Sequence, residues 1–97
     1  MFIYDKSTII NLDNVTYMEC LESDDYVYIK AYLCSSSQSG VFGNRIYTDS
    51  VEFCILKNTE TNKRIVEDIF DGIFDALSGN NRVFNVAMRL SQRGVES

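Results

Sequence analysis

Two hydrophobic periods divide this chain. Up to Leu56, apolar residues recur mostly at every second position, as on the alternating faces of β-strands. From Thr59 to Leu77 they recur at three and four, as on one side of a helix. In that second stretch, TETNKRIVEDIFDGIFDAL, the residues Ile65, Val66, Ile69, Phe70, Ile73, Phe74 and Leu77 sweep an arc of roughly 180° at 100° per residue. Glu67, Asp68, Asp71 and Asp75 hold the opposite side together with Arg64. The pattern predicts a helix over about residues 60–78, with Thr59 or Thr61 as N-cap and Gly79-Asn80 as its stop. Gly72 costs about 1 kcal/mol inside a helix relative to alanine. It sits by Ala76 at the edge of the stripe, where a close approach of backbone from another element would account for it.

The strands are read in the same way. Phe2 to Tyr4 and Thr8 to Leu12 predict two short strands, and Asp13-Asn14 a turn. Val15 to Leu21 is strand-like but its alternation is impure: Glu19 shares a face with Val15, Tyr17 and Leu21, while Thr16, Met18 and Cys20 form the other, so the inward side stays open. Glu22 to Asp25 makes a polar hairpin loop. Tyr26 to Cys34 alternates most cleanly, with Val27, Ile29, Ala31 and Leu33 on the face that should meet the helix. Tyr26, Tyr28, Lys30 and Tyr32 lie on the other. Ser35 to Gly40 predicts a mobile loop, Val41 to Tyr47 a strand interrupted at Gly43-Asn44, and Val51 to Leu56 a strand with Val51, Phe53 and Ile55 on one face. Arg82 to Leu90 fits either period. Phe84, Val86, Met88 and Leu90 suit a strand, Val83, Val86, Ala87 and Leu90 a helix, and β-propensity tips the balance to a strand. Residues after Ser91 are expected to fray. The expected architecture is therefore α+β: one domain over residues 1–97, an antiparallel meander or partial barrel of about five strands packed by one long C-terminal amphipathic helix.

Composition narrows the chemistry. An apolar fraction of 45% with six Tyr and six Phe predicts a packed chain. The opening MFIYDKST resembles no signal peptide, and no apolar run reaches membrane-spanning length, so the chain reads as cytoplasmic with no membrane partner. Three cysteines, Cys20, Cys34 and Cys54, fall inside strands and read as small half-buried residues rather than a disulfide framework. A net charge of −5 opposes direct nucleic-acid binding. The absence of histidine removes the commonest general base and metal ligand. The cysteines lie near carboxylates, which raise a thiol's pKa. The acidic pairs read as a hairpin loop and a solvated helix face. No enzyme, cofactor or metal site is expected.

Two surface features stand out. Tyr26, Tyr28 and Tyr32 on one strand face supply the amphipathic area enriched in interfaces. Glu67, Asp71 and Asp75 recur every four residues, about 6 Å apart along a helix axis, a spacing like that of successive phosphates on a nucleic-acid strand.

The run INLDNVTYMECLES…YVYIKAYL resembles the opening strands of small bacterial PH-like domains, and VEFCIL followed by KRIVEDIFDGIFDAL resembles their last strand and helix. The resemblance covers about residues 7–78 and implies a binding scaffold rather than an enzyme. The first clear hairpin loop is ESDD, so the basic loop that PH domains use for phosphoinositides is missing. NVTYMECLESDDYVYIKAYL is also similar to the start of LytTR-type DNA-binding domains, a function that the acidic balance opposes. The expected function is a non-catalytic protein–protein interaction module of a bacterium or phage, with a protein partner and a homodimer expected. The alternative is an acidic inhibitor that blocks a nucleic-acid-binding enzyme.

Overall fold

The computed structural model describes residues 1–34 and 48–94. Among these, six strands and two helices form an α+β fold. The strands are β1 (Phe2–Asp5), β2 (Thr8–Asn11), β3 (Val15–Glu22), β4 (Tyr26–Cys34), β5 (Thr48–Lys57) and β6 (Val83–Asn85). The helices are α1 (Glu60–Ser78) and α2 (Val86–Gln92). The loop and strand expected over residues 35–47 lie outside the described residues.

The five-strand meander is corrected to two sheets. A 3-10 turn, Leu12–Asn14, separates β2 from β3, with the Asn11 side chain accepting from Asp13 N–H. Beyond it, β3-β4-β5 run antiparallel as one sheet. The first two strands instead join a second sheet of order β2-β1-β6, in which β6 runs parallel to β1. A single closing helix is likewise corrected to two. Both competing readings of residues 82–90 hold in part, and the change falls at Asn85. There the strand ends, and the Asn85 side chain accepts from Met88 N–H as the N-cap of α2. Helix α2 then runs on through Ser91 to Gln92.

One core joins both sheets and both helices. Ile3, Ile10 and Phe84 come from the first sheet, Val27, Ile29, Ala31, Phe53 and Leu56 from the second. Ile65, Val66, Ile69, Ile73 and Ala76 come from α1, and Val86 and Leu90 from α2. The aliphatic face of β4 is thus the inner one. It also decides the ambiguous strand: Met18 pairs with Ala31 and Cys20 with Ile29, so these two face inward. A register shift between Val15 and Tyr17 lets Val15 also pack on the core.

Strand β5 departs from its predicted alternation. Val27 pairs with Leu56 but Ile29 with Phe53, so β5 carries an extra residue. Cys54 occupies this bulge at φ 55°, and the bulge turns Ile55 outward (46% exposed) while burying Leu56. The Cys54 N–H, released from the ladder, donates to Asp5 Oδ2 at 2.6 Å, tying one sheet to the other.

Helix α1 keeps its predicted bounds. Thr59 Oγ1 accepts from Asn62 N–H at 3.1 Å, which selects Thr59 over Thr61 as the cap. At the other end Gly79 has φ −89°, and it is Asn80 that takes the left-handed conformation at φ 60°. Of the seven apolar residues on its face, Ile65, Val66, Ile69 and Ile73 are buried and Phe70 is half-buried, whereas Phe74 (68%) and Leu77 (45%) are exposed. The neighbour that crowds Gly72 is a side chain, not backbone. A Cβ there would meet the Phe84 ring at 3.2 Å. Phe84 and Arg89 therefore pack on the Gly72 edge of the helix, and Phe74 and Leu77 stay exposed.

Candidate functional site

The outer face of the β3-β4-β5 sheet carries the tyrosines. Tyr26 is exposed, while Tyr28 and Tyr32 are half-buried. The register sets Tyr32 beside Tyr17 of β3, Tyr28 beside Leu21 and Lys30 beside Glu19. Tyr17 and Tyr32 stack with centroids 4.3 Å apart and planes 15° from parallel. Tyr17 was missed in the sequence because the strand's inward side could not be chosen. Once Met18 and Cys20 face the core, Tyr17 must face out. The Tyr32 hydroxyl donates to Glu19 Oε2 at 2.8 Å, and Lys30 Nζ lies 5.2 Å from the same ring. The result is an aromatic platform held in place from two sides.

This contact has a titration signature. The hydrogen bond to Glu19 stabilises the neutral phenol, so the Tyr32 pKa is pushed up from the ordinary 10 to about 12. The bond's contribution is present in full below about pH 10 and is lost as pH climbs through about 12. In a spectrophotometric titration, one of the six tyrosines should ionise only as pH approaches 12. Glu19→Ala, which removes the acceptor, should bring that tyrosine back toward the ordinary value, leaving only the part held up by burial and by Tyr17 and Tyr28. If the wild-type and variant curves superimpose, the Glu19 bond is not formed in solution.

The acidic residues of α1 are also exposed, but they do not all look the same way. Glu67 lines a hollow of about 150 Å³ between α1 and β3, together with Cys20, Leu21, Glu22, Val27, Lys63 and Val66. At this end Lys63 Nζ meets Glu22 Oε2 at 3.1 Å, and Asn58 also donates to Glu22. Both contacts hold the Glu22 carboxyl below its usual range. Asp68, on the other flank, pairs with Arg93 of the segment after α2 at 2.9 Å. Each step of four residues rotates a further 40° around a helix, so Glu67, Asp71 and Asp75 form a row that winds away from β3. The structure therefore places the predicted interaction residues in two groups, the tyrosines on a sheet face and the carboxylates along a helix flank, and does not bring them together.

The thiols are poorly suited to nucleophilic chemistry. Burial, then Glu67 and Asp71, push Cys20 up to about 11, and burial and Asp5 push Cys54 up to about 12. The side chain of Cys34 is outside the described set. Among the described residues, no helix is long and apolar enough to cross a membrane. Comparisons with protein-family models, with curated proteins and with solved structures find no match for this chain.

Proposed function

We propose that this chain is a non-catalytic, cytoplasmic protein–protein interaction module of a bacterium or phage. The observation that carries the proposal is the stacked pair Tyr17 and Tyr32, fixed by Glu19 and Lys30 on the outer sheet face. Aromatic groups ordered before contact lose little further side-chain entropy on binding, so more of their buried area becomes affinity. The antiparallel β3-β4-β5 order followed by α1 supports keeping the PH-like resemblance, and with it a scaffold role, within the proposal.

The partner in this reading includes a second copy of the chain. Phe74 and Leu77 remain exposed after residues 83–92 have packed, and the tyrosine face is open as well, so a two-fold dimer has apolar surface to bury. Light scattering across micromolar concentrations should show a mass of two chains. Tyr28→Glu should return it to one chain without loss of the thermal transition, and it is a cleaner change than Tyr32→Glu, which sets a carboxylate beside Glu19. A strictly monomeric mass at high micromolar concentration removes the dimer. The helix edge around Gly72 and Ala76 is not an alternative interface, because Phe84 occupies it.

The second reading is an acidic inhibitor of a nucleic-acid-binding enzyme. It is supported by the exposed row Glu67, Asp71 and Asp75, since Lys63 and Arg93 pair with Glu22 and Asp68 rather than with the row. Its mark is binding to a basic partner that falls steeply with ionic strength and fails in the triple alanine variant.

A further inference from the structure

Strand β3 is a sheet edge. Among the described residues it pairs with β4 and with no other strand. Which of its backbone groups face outward follows from the hairpin. Ser23 N–H donates to the Tyr26 carbonyl at 2.7 Å, and Tyr26 N–H donates to Ser23 Oγ at 3.1 Å, so these two residues close the hairpin at a bonded position of the ladder. Bonding alternates by two along an antiparallel ladder, which turns Leu21, Glu19 and Tyr17 toward β4 and Met18, Cys20 and Glu22 outward. Three consecutive outward-facing N–H and C=O sets are a template for one more strand. The protection natural edges carry is slight here: a register shift at Val15/Tyr17, the Glu22–Lys63 ion pair, and one mid-strand charge, Glu19, which is engaged by Tyr32 on the outer face.

The first half of helix α1 passes this edge in the antiparallel sense, with Lys63 at Glu22 and Glu67 at Cys20. Glu67 lines a hollow with Cys20, Leu21 and Glu22 of this strand, and Asp71 follows it on the exposed side of the helix, about 6 Å further along the axis and 40° further round. Phe74, 68% exposed, follows one turn on. The spacings also agree. Residues four apart on a helix advance about 6 Å, and alternate residues of a strand about 6.7 Å. An added strand therefore brings every second side chain opposite one step of the Glu67–Asp71 flank, with a mismatch that a lysine stem absorbs. A second copy of β3 does not suit the place, because it brings Glu19, Glu22 and its own acidic flank against like charges.

We infer that the groove between the β3 edge and the Glu67–Asp71 flank of α1 binds an extended protein segment with Lys or Arg at alternate positions, added as a fourth strand beside β3. The inference rests on the reading of the chain as a protein-interaction module but uses a different surface from the tyrosine face. Backbone pairing supplies the geometry and the two carboxylates supply the selection. Asp75, turned a further 40° around the helix, takes little part.

The test is a titration of the full chain with the capped heptapeptide Ser-Lys-Val-Lys-Val-Lys-Ser, followed by amide chemical shifts and hydrogen exchange. Binding should slow exchange at Met18, Cys20 and Glu22, whose amides have no backbone partner among the described residues. The same peptide with Glu for Lys should not bind. Glu67→Gln with Asp71→Asn should weaken binding about fivefold to tenfold, as loss of two exposed charge contacts implies, while Asp75→Asn changes it less than about twofold. Both variants alter only exposed side chains, so each should keep the wild-type melting curve. Lack of binding at millimolar peptide overturns the inference. So does binding without new protection at those three amides, which would be diffuse attraction to an acidic surface. If shifts appear at Tyr17, Tyr28 and Tyr32 instead, the groove is wrong while the interaction-module reading survives.

Discussion

Ile69→Asp should abolish cooperative folding. Ile69 lies in the middle of α1, only 3% exposed, in the core that joins both sheets and both helices. An aspartate there either carries an unpaired charge into an apolar interior or takes up a proton to avoid it. Both routes cost several kcal/mol, and the lost side-chain packing adds more. The whole stability of a domain this size is about 5–15 kcal/mol, so the penalty consumes most of it. Circular dichroism should show no sharp melt. Asp71→Ala on the exposed flank should stay within about 0.5 kcal/mol of wild type. Equally mild effects from the two changes would mean that α1 is not seated on the sheet as described.

Phe84→Ala should cost about 3–5 kcal/mol, the usual range for deleting a buried aromatic ring. For about 100 residues that corresponds to a fall in Tm of roughly 15–30 °C. Phe84 is 2% exposed, in the middle of the short strand β6. Its ring fills the space left by the missing side chain at Gly72, and the Arg89 guanidinium lies 4.7 Å from its centroid. The loss is therefore felt by β6, α1 and α2 together. A double-mutant cycle isolates the contact. In the wild-type background, Gly72→Ala gains helix propensity but presses a methyl against Phe84, so the two effects oppose each other. With Phe84→Ala in place, the same change should recover about 1 kcal/mol. Equal effects of Gly72→Ala in the two backgrounds would show that ring and glycine are not in contact in solution.

Local signals carried much of the fold. The bounds of α1 follow from a 3.6-residue period and a threonine cap, and β4 from uninterrupted alternation, because each pattern is written within one short segment. Even the double character of residues 82–90 was visible, since both periods are present there and an asparagine sits at the crossover. The aromatic face was half legible. Tyr28 and Tyr32 declare themselves on β4, but Tyr17 needed the facing of β3 to be known.

What the sequence by itself determined, then, is the identity of the segments: strands up to Lys57, a long amphipathic helix after Thr59, an acidic surface and a surplus of tyrosine. Tertiary structure alone decided the partition of those strands into two sheets. The β1–β6 pairing joins residues about eighty positions apart, and no local pattern records a parallel neighbour. It also decided that Ile55 turns out and Leu56 in, because Cys54 leaves the ladder to reach Asp5, a residue 49 positions away. The same holds for the apolar arc of α1. Phe74 and Leu77 are as hydrophobic as the residues beneath the helix, but Phe84 docks on the opposite edge and they stay exposed. Periodicity records which side chains share a face. Which part of that face meets protein depends on the size and position of what packs against it, and those are properties of distant segments.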